Sequence, residues 1–190
     1  VCADSGCTSV ISTFSSAAGL ANGANGSAAV PGAASLADGT TYYWQAQNED
    51  NTARTSAFSA SRAFTVDLTR PASSASVPAA AASLRTATWS GSISGTASDA
   101  TAGVTGVDVS IRRVSGGLYW DPAANAGAGG FTSAVELFLP ATGTTSWSLS
   151  FPAARFTADG QYTIATRATD GASNQQTALG STTFTFDATA

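Results

Sequence analysis

Histidine and methionine are absent from the 190 residues, no lysine occurs, cysteine appears twice, and charged residues make up only 11% of the chain. Each lack removes a kind of chemistry. Without His there is neither the commonest general base nor the commonest zinc ligand, and no Ser-His-Asp or Cys-His constellation can be assembled. Without Lys no Schiff base forms, and the Lys-to-Asn crosslinks that stiffen some surface fibres have no nucleophile. Long apolar runs are missing too. No stretch approaches the roughly 20 residues that cross a bilayer, and no basic region followed by an apolar one opens the chain, so any export signal is expected outside this segment. Positive charge is thin: the eight basic residues are scattered arginines, the net charge is −4 and the pI is near 4.4. That balance would repel a phosphate backbone, so nucleic acid is not an expected partner.

What is present is a core-forming chain, 43% hydrophobic and rich in Ala, Ser, Thr and Gly, written with the period of strands. Tyr42, Trp44, Ala46 and Asn48 alternate with Tyr43, Gln45 and Gln47, and Tyr162, Ile164, Thr166 and Ala168 alternate with Thr163, Ala165 and Arg167. Further strands are expected over 63–66, 88–97, 106–114, 134–139, 146–151 and 182–186, separated by Gly, Pro, Asp and Ser clusters. The one helix-like patch, 79–84, follows Pro78 and reads as a short irregular turn. Trp44, Trp89 and Trp147 sit in alternating runs and are expected in the core. The fold class is therefore all-β, with sandwich architecture.

The chain also repeats itself. Tyr42, Asp50, Phe64, Asp67 and Thr69 recur as Tyr162, Asp170, Phe184, Asp187 and Thr189, each displaced by 120 residues. Self-similarity at a fixed spacing marks modular arrays. The joint reads Phe64-Thr-Val-Asp67-Leu-Thr69-Arg-Pro71, and the proline ends any strand there. Two domains are expected, 1–70 and 71–190.

Leu36-Ala-Asp38-Gly39-Thr-Thr-Tyr42, the alternating strand and Phe64-Thr-Val-Asp67 together resemble the second half of a fibronectin type III-like module. Leu36 and Tyr42 match its leucine and tyrosine-corner positions. Ile93-Ser-Gly95-Thr-Ala-Ser-Asp99, Val107-Asp-Val-Ser-Ile111, Tyr162-Thr-Ile and Arg167-Ala-Thr-Asp170 resemble the bacterial Ig-like repeats of large secreted and surface-anchored proteins. The resemblance implies tandem Ig-like and fibronectin III-like sandwiches, the first incomplete at its N-terminus, with further modules expected beyond the segment. It also implies an extracellular or cell-surface setting, and a non-catalytic role as spacer, adhesin or fibre building block. Neighbouring modules, or copies of the same protein supplying the missing strands, are the expected partners.

Four candidate sites follow from residue types and placement. Cys2 and Cys7, with a turn-forming insert between them, are expected to form a local disulfide contributing about 2 kcal/mol on the chain-entropy model. In the Ig-type sandwich that the resemblance implies, Asp67, Asp99 and Asp170 are expected at the end where the chain enters the second domain; with Asn174 or Asn48 and backbone carbonyls, such an all-oxygen set suits Ca²⁺. Tyr119 and Trp120, beside the Gly- and Ala-rich stretch 123–130, are the carbohydrate-binding candidates, and would make the chain an accessory module of a secreted hydrolase. Tyr42 and Tyr162 are expected to be buried, each hydroxyl bonding back to its turn.

Overall fold

The computed structural model of the protein describes residues 1–16, 19–21, 24–30 and 36–189. Ordered structure is almost entirely β, and among the described residues the only helical turns are of 3-10 type, at Asn125–Gly127 and Ala153–Arg155. No helix there is long and apolar enough to cross a membrane. The chain divides into two units, Val1–Leu68 and Thr69–Ala190.

The first unit is built on an antiparallel pair, β1 (Thr41–Trp44) and β2 (Arg62–Thr65), in which Tyr42 faces Phe64 across the ladder with ring centroids 5.9 Å apart. Period two turns Tyr42 inward, and its hydroxyl accepts from the Ala37 N–H at 2.8 Å. Cys2 bridges to Tyr43 and to Val10, which fixes the N-terminal segment beside β1. Trp44 was expected in the core and is instead 39% exposed. It lies at the end of β1, and a two-stranded sheet has too little area to cover every apolar residue on one face. Val10, Phe14 and Phe58 are exposed for the same reason.

The second unit is a two-sheet sandwich. One sheet has the order β10-β11-β5-β3, from β10 (Thr142–Gly143), β11 (Ser146–Ser150), β5 (Ser92–Ser98) and β3 (Ala72–Val77). The other runs β4-β13-β12-β6-β7-β8, with β9 (Leu139–Pro140) paired to β6: β4 (Ser83–Arg85), β13 (Gly180–Asp187), β12 (Gly160–Asp170), β6 (Val104–Arg113), β7 (Tyr119–Asp121) and β8 (Gly130–Ser133). Ile93 and Ala97 of β5, Val107, Val109 and Ile111 of β6, and Tyr162, Ile164 and Ala168 of β12 face each other between the sheets. Aromatic rings fill the end nearest Tyr162. Trp89 packs edge-on to Phe156 at 4.9 Å and stacks on Phe184 at 5.7 Å, while its indole N–H donates to the Phe151 carbonyl. Each large side chain buried this way contributes about 1.5–3 kcal/mol. A polar cross-tie joins the sheets further along, where Ser73 Oγ lies 2.9 Å from Thr166 Oγ1 and 2.6 Å from Gln176 Oε1.

Two strand assignments fail for identifiable reasons. Residues 134–138 form no strand because the Ser133 hydroxyl accepts from the Val135 N–H and donates to the Val135 carbonyl. Such a local bond competes with ladder pairing. Trp89 precedes rather than opens β5, in the turn after β4.

Candidate functional site

Alternation along β5 and β12 places the acidic residues. Ile93, Gly95 and Ala97 point into the sandwich, and two residues on the same face brings Asp99. On β12 the buried series is Tyr162, Ile164, Thr166, Ala168 and Asp170, so this carboxylate lies at the end of the core, 2% exposed. The two strands belong to opposite sheets, and each offers a carboxylate oxygen within 4.8 Å of the other.

Backbone N–H groups hold both carboxylates in fixed orientations. Asp99 Oδ1 accepts from Thr101, Ala102 and Gly103 at 2.9–3.0 Å, and Gly103 takes a positive φ of 71° to close that turn. Asp170 Oδ1 accepts from Ala172 and Asn174, while Asp170 Oδ2 accepts from Asn174 Nδ2 at 2.9 Å. The Gly171 N–H donates to the Gly103 carbonyl and ties one loop to the other. Asn174 Nδ2 also donates to the Thr69 carbonyl at 3.2 Å, at the residue where the second unit begins.

One oxygen breaks the pattern. Asp99 Oδ2 is buried and has no hydrogen-bond partner among the described residues. A buried carboxylate oxygen left without a donor costs on the order of 1–3 kcal/mol, and a second carboxylate within 4.8 Å repels it. A cation between them removes both penalties. The donor set is oxygen only, the kind that hard divalent cations take. Asp67, the third acidic residue singled out in the sequence, belongs to the first unit, where it follows β2 and is buried.

The remaining candidates separate cleanly. Cys2 and Cys7 form a disulfide, which suits an oxidising compartment, extracellular or periplasmic. Asp4 sits inside that loop, held below the usual carboxylate range chiefly by the Thr8 backbone N–H and then by that of Ser9. The Tyr162 hydroxyl donates to the Ala158 carbonyl at 2.6 Å, and burial pushes it above the ordinary phenol value. The aromatic pair at 119–120 does not form a sugar platform, which corrects the sequence reading. Trp120 is 3% exposed, with its indole edge-on to Phe131 at 5.2 Å and Phe151 at 5.0 Å, and the Arg155 guanidinium lies over its ring. Neighbouring Tyr119 takes the Arg112 guanidinium over its own ring at 5.7 Å. Sequence reasoning missed Arg155, because nothing in Pro-Ala-Ala-Arg-Phe marks a cation that will lie on two aromatic rings 35 residues apart in number from one of them.

No protein-family model matches the chain, and no curated protein matches it. Among solved structures, CopC from Methylosinus trichosporium OB3b is similar at 18% identity, over 62% of this chain and 96% of that one, with a TM-score of 0.38. A likeness of that size leaves the site to be read from its own residues.

Proposed function

We propose that the chain is a non-catalytic structural or adhesive segment of a bacterial extracellular or cell-surface protein, made of fibronectin III-like and Ig-like repeats, whose second unit holds a Ca²⁺ ion at Asp99 and Asp170. The observation that carries the cation is the buried Asp99 Oδ2, without a hydrogen-bond partner among the described residues, beside the Asp170 carboxylate. Ca²⁺ takes six to eight oxygens, so the two carboxylates need company. Asn174 is the neighbour that could supply it: its amide now presents Nδ2 to Asp170, and a half-turn, which gives up its donation to the Thr69 carbonyl, would present an acceptor to the ion instead. Repetition of the Tyr, Asp and Phe positions in both units supports the spacer reading, since these residues build turns and core rather than a reaction centre.

Thermal unfolding in calcium and in a chelator tests the proposal. An ion that binds the folded chain stabilises it by about 2.7 kcal/mol at a hundredfold excess over its Kd. Calcium should therefore raise the melting temperature of the second unit by several degrees, and Asp99→Asn should abolish the increase. In chelator the sign reverses: Asp99→Asn removes the repulsion and offers Asp170 a donor, so the variant should melt at or above the parent. Equal melting of the parent with and without calcium would reject the cation.

A further inference from the structure

We propose that a groove on the second unit, outside the acidic pair, binds a uronate residue of an acidic polysaccharide through Arg155. The groove encloses about 390 Å³, within the range of small-ligand sites. Trp120, Leu139 and Leu149 form its apolar lining, and Thr142 and Ser148 bring hydroxyls to it. In a chain of net charge −4, none of the lining residues is acidic and one is a cation. Arg155 is that cation. Its guanidinium lies 5.4 Å from the Trp120 ring centroid and 5.2 Å from that of Phe151, and Nη1 donates to the Ser150 carbonyl at 3.1 Å.

The two rings and the Ser150 carbonyl hold the guanidinium at the groove while leaving most of its donors free for a ligand. Among the described residues one of its five N–H donors is used, and no carboxylate lies within ion-pair distance. A planar guanidinium is the group that grips a carboxylate with two parallel hydrogen bonds. An anion arriving here meets no competing acid among the lining residues.

Sheet geometry favours a sugar over an acidic peptide. A peptide adding as a strand would need a run of free backbone groups along β11, yet Ser148 is already paired with Thr142 and the Ser150 carbonyl is taken by Arg155. Pyranose rings need no such ladder. Their hydroxyls match those of Thr142 and Ser148, and their C–H faces suit Leu139 and Leu149. Recognition rests on the guanidinium, because the Trp120 ring face is covered by it.

Titration of the whole chain with trigalacturonate, in chelator so that the acidic pair plays no part, tests the groove. Galactotriose and triglutamate serve as the neutral and peptide controls. Trigalacturonate should bind, more weakly as salt rises, while galactotriose should not. Arg155→Gln should lower the affinity at least about tenfold. Arg155 also packs on the core, so Ser148→Asp provides a second variant: it sets a carboxylate in the groove from an exposed position and should abolish binding with the melting temperature unchanged. No binding of trigalacturonate at millimolar concentration, equal binding by Ser148→Asp, or triglutamate binding as tightly as the sugar would each overturn the assignment.

Discussion

Tyr42 and Tyr162 occupy the same place in the two copies, and their surroundings agree in detail. Each faces a Phe across the ladder with ring centroids 5.9 Å apart, and each hydroxyl bonds to a backbone group four or five residues upstream. Asp50 and Asp170 match as well, each Oδ1 accepting from the N–H groups two and four residues ahead. Removing the Tyr162 hydroxyl leaves the Ala158 carbonyl without this donor, so Tyr162→Phe should cost about 1–2 kcal/mol of stability in urea titrations followed by tryptophan emission. The phenol is raised above its ordinary value of 10.0, foremost by burial. Its neutral form is the one the fold favours, so this contribution is complete below pH 10.0 and is lost as pH rises through the elevated folded value. Tyr162→Phe should flatten that alkaline loss. An equally steep loss in the variant would place its origin elsewhere.

At the scale of elements, β5 and β12 carry both packing and chemistry on one face. Gly95 shows how close the packing is: an added Cβ would meet the Ser74 carbonyl oxygen at 2.0 Å and Trp147 Cζ2 at 2.6 Å. Backbone cannot yield as a side-chain tip can, so Gly95→Ala should cost about 3 kcal/mol, measured as a shift of the urea midpoint with the slope unchanged. A loss below about 0.5 kcal/mol would mean that β3 moves aside freely. Much of this element pattern was legible in the sequence. Period two in Tyr162 to Asp170 turns the terminal Asp inward, as the buried series shows, and the same alternation from Ile93 through Ala97 leads to Asp99, half-buried one residue past β5. The loop clasp between Gly171 and Gly103 was not legible, since it depends on where two distant turns meet. The segment 134–138 misled because its apolar residues suggest a strand, whereas Glu136 accepts from Ser110 and Phe138 lies under Arg167 at 4.0 Å, which spends those side chains on the outside of the sheet. Trp120 misled in the opposite direction: a Trp beside a Gly-rich loop looks exposed until Phe131 and Phe151 close on it.

For the whole molecule, the two units differ in what holds them. The second has a continuous core of aromatic and branched side chains, including three of the four tryptophans. The first has a two-stranded sheet, a local disulfide and backbone bonds to Asp4 and Asp50. Heating should therefore produce two transitions. Reduction should lower the first and leave the second in place, because Cys2 and Cys7 lie wholly within the first unit. A reductant that shifts both transitions equally would show that the units do not melt independently. Calcium should act the other way, raising the second transition through Asp99 and Asp170.

Calorimetric titration of the metal-free chain with Ca²⁺, run side by side with Asp99→Asn, is the most direct test of the acidic pair. Saturable binding that disappears in the variant is expected. No saturable binding by the parent, or identical isotherms for the two proteins, would contradict a cation held at the end of the second sandwich.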